Sequence, residues 1–105
     1  MYEIYDNIVK NTLEDYMKIT DVRIREVRHT DGRLRAVATI TIDDCFVVHD
    51  IKIFEKDGER FISMPSRKTS EGEYKDIAHP LNTETRTYLQ TLILDTYREM
   101  LESAE

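Results

Sequence analysis

The stretch VRIREVRHTDGRLRAVATITI, residues 22–42, carries two alternating apolar/polar runs around an Asp-Gly, the strongest short-range signal of a β-hairpin. The number of loop residues decides which side chains share a face, because a slip of one residue turns a strand over. A two-residue Asp31-Gly32 loop sets Arg23 and Arg25 beside Ala36, Ala38 and Ile40, a poor match. A three-residue loop, Thr30-Asp31-Gly32 with the glycine left-handed, pairs Val22 with Ile40 and Ile24 with Ala38. The core face then gathers Val22, Ile24, Leu34, Ala36, Ala38, Ile40 and Ile42. The opposite face gathers Arg23, Arg25, Arg33 and Arg35 with Val27, Val37 and Thr39. The register that buries the aliphatics therefore clusters four arginines.

Working outward, a tight turn at Asp43-Asp44 pairs Ile42 with Cys45 and Ile40 with Val47, and adds His49, Ile51 and Ile53 to the core face. A second hairpin, closed by Lys56-Asp57-Gly58, sets Phe61 opposite Ile53. Phe46, Val48, Phe54 and Ile62 are left on the far face, an apolar patch that calls for a partner, most simply a second copy of the chain. Pro65 lacks an amide donor and ends the fourth strand or confines it to an edge. Residues 66–80 read as a long loop with a short extended piece at EYKDIA. Asn82 or Thr83 caps a C-terminal helix, with Glu84 in its positive first turn and Leu89, Leu92, Ile93, Tyr97, Met100 and Leu101 as its apolar stripe. Before the first strand, Tyr5, Ile8, Val9, Leu13 and Tyr16 recur at helical spacing, which predicts an amphipathic helix over residues 1–16. The expected fold is α+β: an antiparallel meander of about four strands with a fifth short piece, covered by the C-terminal helix. Residues 17–105 form one domain and residues 1–16 an extension of it.

A chain of 105 residues holds one core and no second unit of comparable size. No run approaches the roughly 18 apolar residues of a membrane span, and no apolar stretch follows a basic start. The single cysteine, Cys45, offers neither an internal disulfide nor a cysteine zinc cage, which fits a reducing compartment. A cytoplasmic protein without membrane contact is expected. The net charge of −6 argues at first against a nucleic-acid binder. Its distribution is uneven, however. Residues 1–16 have four acids against one lysine, residues 82–105 five acids against two arginines, and the middle is balanced.

The parts of an enzyme are not evident. His49 and Asp50 are adjacent on a strand and point to opposite faces, and His49 reads as a structural histidine of the core. His79, three residues after Asp76, reads as a loop anchor rather than a base or ligand, and His29 as a solvated turn residue. Cys45 reads as a packed core thiol. Neither HExxH, a phosphate-binding glycine loop nor GxSxG occurs. No catalytic residue, metal or cofactor is expected.

The basic groups carry the better signal. Arg67 and Lys68 are flanked by Ser66, Thr69 and Ser70, and Lys75 follows. Guanidinium and ammonium groups neutralise phosphates while hydroxyls donate to their oxygens, so SRKTS suits a nucleic-acid backbone. Such segments are also common on ordinary surfaces, and the arginines at 23, 25, 33 and 35 have Asp21, Glu26 and Asp31 nearby as a solvated face would. Phe54 and Tyr74 can stack on bases or pack in a core or dimer.

From Met17 to about Glu102 the chain resembles the SpoVG family, the stage V sporulation protein G or septation proteins of bacteria. The resemblance rests on ITDVRIREV, DGRLRAVATITID, FVVHDIKI, MPSRKT, GEYKDIAHPLN and the helix opening TETR, in the family's order. It implies a small antiparallel sheet with a C-terminal helix, a homodimer, and no enzymatic activity or cofactor. It also implies a link to septation and sporulation, regulation of gene expression, and binding of DNA or RNA with limited sequence preference. The family's basic loop falls on Ser66, Arg67, Lys68 and Thr69. DIAHP, residues 76–80, reads as structural, and residues 1–16 lie outside the family pattern.

Two readings follow. One is a homodimeric nucleic-acid-binding regulator using Ser66, Arg67, Lys68, Thr69 and Lys75 with the arginine face. The other is a protein-interaction adaptor in septation or sporulation control, docking an acidic partner on MPSRKT. A hydrolase built on His79 and Asp76 is disfavoured.

Overall fold

The computed structural model describes residues 17–28 and 32–103. The helix expected over residues 1–16, and His29 with Thr30 and Asp31 of the first hairpin loop, lie outside the described residues. Strands β1 (Ile19–Glu26), β2 (Leu34–Ile42), β3 (Phe46–Lys56) and β4 (Glu59–Ser63) form one antiparallel sheet in sequential order. The first hairpin has the register that aliphatic burial demands, with Val22 opposite Ile40 and Ile24 opposite Ala38.

The next two pairings differ from expectation. Three residues, Asp43 to Cys45, make the β2–β3 turn, so Ile42 faces Phe46 and Ile40 faces Val48. Between Ala38 and Ile40 the register shifts: Ala38 faces Ile51, leaving both His49 and Asp50 across from Thr39. This is a β-bulge, and Asp50 has φ 65°, a left-handed conformation that aspartate tolerates better than branched residues. The extra residue changes the phase of β3. Val48 packs against the core from one half, Ile51 and Ile53 are fully buried in the other, and His49 is turned out of the core to an exposed position. Cys45, expected inside, is exposed in the turn.

A second bulge undoes the first. Leu34 faces Phe54 while Ala36 faces Ile53, so Arg35 is the extra residue of β2 and Leu34 leaves the core cluster. The β3–β4 turn is the two-residue Asp57-Gly58, with φ values of 55° and 83°, the doubly left-handed geometry of a tight hairpin. It sets Ile53 opposite Ile62 and Phe54 opposite Phe61. Ile62 is therefore buried rather than part of an outer patch.

After Met64 and Pro65 the chain makes a hairpin of its own where a loop was expected. β5 (Ser66–Lys68) pairs with β6 (Tyr74–Asp76), the latter within the extended piece read from the sequence. The Ile77 amide donates to the Pro65 carbonyl at 2.7 Å and closes the base of this arm.

The covering helix α1 (Thr83–Ser103) is capped by Asn82, whose side-chain oxygen accepts the Thr85 amide at 2.8 Å. Leu89, Ile93 and Tyr97 are its buried stripe, with Leu92, Met100 and Leu101 packed beside them. They meet Ala36, Ala38, Ile40, Ile51, Ile53, Ile62 and Met64 of the sheet side, one core on one face. At the end of the helix the Arg60 guanidinium carbon stands 5.1 Å from the Tyr97 ring centre, and Arg60 Nε bonds Glu55 at 3.3 Å. Burial pushes the Tyr97 phenol above its ordinary pKa; Arg60 opposes this, and Glu26 and Glu55 reinforce it. No helix among the described residues is long and apolar enough to cross a membrane.

Candidate nucleic-acid interface

In the β5–β6 arm, Arg67 is directly opposite Lys75, Lys68 opposite Tyr74, and Ser66 opposite Asp76. Opposed residues of a ladder share a face, so Arg67 and Lys75 form a like-charged pair on one side. Lys68 and Tyr74, the latter 71% exposed, are opposed on the other. All four are exposed. Among the described residues the ion pairs involve Arg23, Arg28, Arg60 and Arg98, so no described carboxylate pairs with Arg67, Lys68 or Lys75. Like charges directly opposed on a ladder cost stability unless an anion comes between them.

The loop end of the arm is built by Thr69. Its amide donates to the Glu73 carbonyl at 2.7 Å, its carbonyl accepts the Gly72 amide at 3.0 Å, and its hydroxyl oxygen accepts the Glu73 amide at 3.2 Å. Gly72 takes φ 89°, which a glycine adopts without strain. Thr69 thus shapes the loop that presents the cations, and its hydroxyl proton is still available to an acceptor.

The four sheet arginines separate. Arg23 and Arg25 line a hollow of about 310 Å³ on the open face of the sheet with Val37, Thr39, His49 and Asp50. Arg23 is held by Asp21 at 2.8 Å, whereas no described carboxylate pairs with Arg25. Arg33 lies with Gly32 beside Phe54 and Phe61. The bulge carries Arg35 out of this company: it donates to the Gly32 and Leu34 carbonyls and acts electrostatically on Tyr97, on the helix side. A single four-arginine face is replaced by these separate settings.

His49 stands 3.4 Å from the Thr39 hydroxyl through Nδ1. His79 Nδ1 contacts the Pro80 carbonyl at 3.0 Å, as the loop-anchor reading expects, and no bond joins it to Asp76. Two residues of the open face were not singled out from the sequence. Lys52, exposed between buried Ile51 and Ile53, faces Val37, which faces Arg25. Phe61 is stacked on Phe54, ring centres 5.7 Å apart and planes 22° apart. Alternation about buried isoleucines was the available signal for Lys52. For Phe61 it was the Asp-Gly turn, once counted as two residues.

The SpoVG family model matches residues 17–99. Relatives named "Putative septation protein SpoVG" include one from Caldicellulosiruptor bescii, 52% identical over 85% of this chain and 100% of the relative. One from Lachnospira eligens is 58% identical over 79% of this chain and 93% of its own length. A third, from Clostridium perfringens, is 54% identical over 80% and 92% respectively. With its family pattern spanning β1 through most of α1, the chain belongs to the SpoVG family.

Proposed function

We propose that this chain is a cytoplasmic, homodimeric nucleic-acid-binding regulator of gene expression serving septation and sporulation. The observation that carries this reading is the opposition of Arg67 and Lys75 on an exposed arm with no described carboxylate paired to either. A phosphodiester between them would relieve their repulsion and release counterions, two favourable contributions from one contact. Ser66, Lys68 and Thr69 flank the pair on the same arm, with Arg23, Arg25 and Arg33 on the sheet and Arg35 beside them in sequence. The contacts are to backbone, so affinity falls with salt and depends little on sequence.

A second copy of the chain is supported by Tyr74, Ile77 and Leu81, which are 71%, 65% and 90% exposed around the arm. Exposed apolar side chains of this size fit a self-complementary contact. A dimer carries two arms and gains avidity on one strand. The same exposed residues also favour the rival reading, an adaptor that docks a protein.

Fluorescence anisotropy with a labelled RNA strand and a DNA duplex, at low and near-physiological salt, tests the reading. Saturable, salt-sensitive binding is expected. With Arg67→Ala and Lys75→Ala it should weaken, and the slope of log affinity against log salt should become shallower by roughly one per lost phosphate contact. Equal affinity in the folded double variant removes the arm from the interface. Absence of binding by the unsubstituted protein transfers the weight to the adaptor.

A further inference from the structure

The open face of the four-stranded sheet holds a second set of groups, remote in sequence from the β5–β6 arm. Phe54 and Phe61 oppose each other on β3 and β4 with stacked rings, and Phe61 is 42% exposed. One step along the same strands, Lys52 faces Ser63 on one side and Val37 on the other, and Val37 in turn faces Arg25. Lys52 is thus about 7 Å along β3 from Phe54, and Arg25 is two strand spacings, roughly 10 Å, from Lys52. Neither cation pairs with a described carboxylate. Of the acids of the face, Asp21 binds Arg23, Glu59 faces Lys56, and Asp50, in the bulge beside His49, lines the same hollow as Arg23 and Arg25 without an ion pair to either.

Helix α1 covers the other face, so nothing in the chain's described residues covers these rings. Their chemistry discriminates between occupants. In a duplex the bases are stacked on one another and offer the protein only edges and phosphates, while a single strand offers base faces as well. Aromatic rings one residue pair along from Lys52, with Arg25 two strands further across the face, suit a polymer that alternates flat apolar faces with negative charges. A purely apolar partner surface would leave Lys52 and Arg25 desolvated and unpaired, which is costly.

We propose that the open sheet face is a platform for single-stranded nucleic acid, with Phe54 and Phe61 stacking on bases and Lys52 and Arg25 holding the adjoining phosphates. This deepens the nucleic-acid reading and rests on it: the arm supplies cations to any polyanion, and the platform selects the single strand.

The test uses the full chain with a labelled 12-nucleotide oligouridylate and a 12-base-pair DNA duplex, measured by anisotropy, with sedimentation velocity on each variant. Phe61→Leu keeps an apolar side chain and removes the ring. It is expected to weaken oligouridylate binding by about 5- to 100-fold and duplex binding by less than about 2-fold. Lys52→Gln, which leaves the core untouched, is expected to weaken oligouridylate binding and flatten its salt dependence by roughly one unit of slope. If both variants bind the strand as the parent does while Arg67→Ala with Lys75→Ala removes binding, the platform is overturned and the arm stands. If the parent binds neither polymer, the platform and the reading beneath it fall together. If Phe61→Leu abolishes self-association and leaves strand affinity unchanged, the face belongs to a second copy and the platform is likewise overturned.

Discussion

The guanidinium carbon of Arg60 stands 5.1 Å from the centre of the Tyr97 ring, and this contact ties the edge strand β4 to the last buried turn of the helix. Arg60 also bonds Glu55 across the β3–β4 ladder at 3.3 Å. Arg60→Ala is expected to lower stability by about 1–2 kcal/mol, the sum of a half-buried cation–π contact and lost packing of the side-chain stem. A lower urea midpoint at unchanged slope would show it. Arg60→Lys should recover only part, because the ammonium lacks the planar fork.

The Tyr97 phenol is raised above the ordinary tyrosine value near 10, chiefly by burial. Its folded pKa exceeds its unfolded one, so the associated stability is fully present below about pH 10 and is lost as pH rises through the folded value. Phenolate absorbance should show a tyrosine that titrates above the ordinary range. In Tyr97→Phe the stability profile above pH 10 should lose that component.

Placing an acid opposite Arg67 separates arm stability from polyanion binding. Lys75→Glu turns a repulsive cross-strand pair into an attractive one, worth roughly 0.2–1 kcal/mol to the arm. Amide exchange at β5 and β6 should slow while affinity for nucleic acid falls, so the stabler arm is the weaker binder. Faster exchange in this variant would contradict the opposition of the two residues.

Two left-handed residues make distinguishable backbone tests. Asp50 has φ 65° and Gly58 φ 83°, with open space where a Cβ on Gly58 would stand. Gly58→Ala should therefore cost about 1–2 kcal/mol through conformation alone. Asp50→Gly should be tolerated and Asp50→Val should cost at least about 1 kcal/mol. Thermal melting would register each kcal/mol as a shift of roughly 4–8 °C.

The sequence made the first hairpin legible because its aliphatics admit only one register that buries them together. The same criterion faltered in β3, where Phe46 and Val48 alternate in one phase and Ile51 and Ile53 in the other. A one-residue change of phase beside an aspartate is how a bulge is written in sequence, and a reading without the bulge puts His49 in the core it faces away from. In β4, counting Asp57-Gly58 as a two-residue turn would have joined Ile62 to Ile53 and Phe61 to Phe54. The β5–β6 arm was harder to see, since three-residue strands without apolar alternation have no periodic signal. The basic residues of SRKTS could be picked out, but the opposition of Arg67 and Lys75 depends on a pairing that only the folded chain displays.

Cys45 sits exposed in the β2–β3 turn and is the one thiol of the chain. A nitroxide attached there gives one spin per molecule, away from both the arm and the ring pair in sequence. Any dipolar coupling between such labels must then arise between two copies. A coupling that persists on dilution would measure the span of a stable assembly, and one that vanishes on dilution would mark an assembly that comes apart. The turn residue thus serves as a ruler whose zero point is built into the fold.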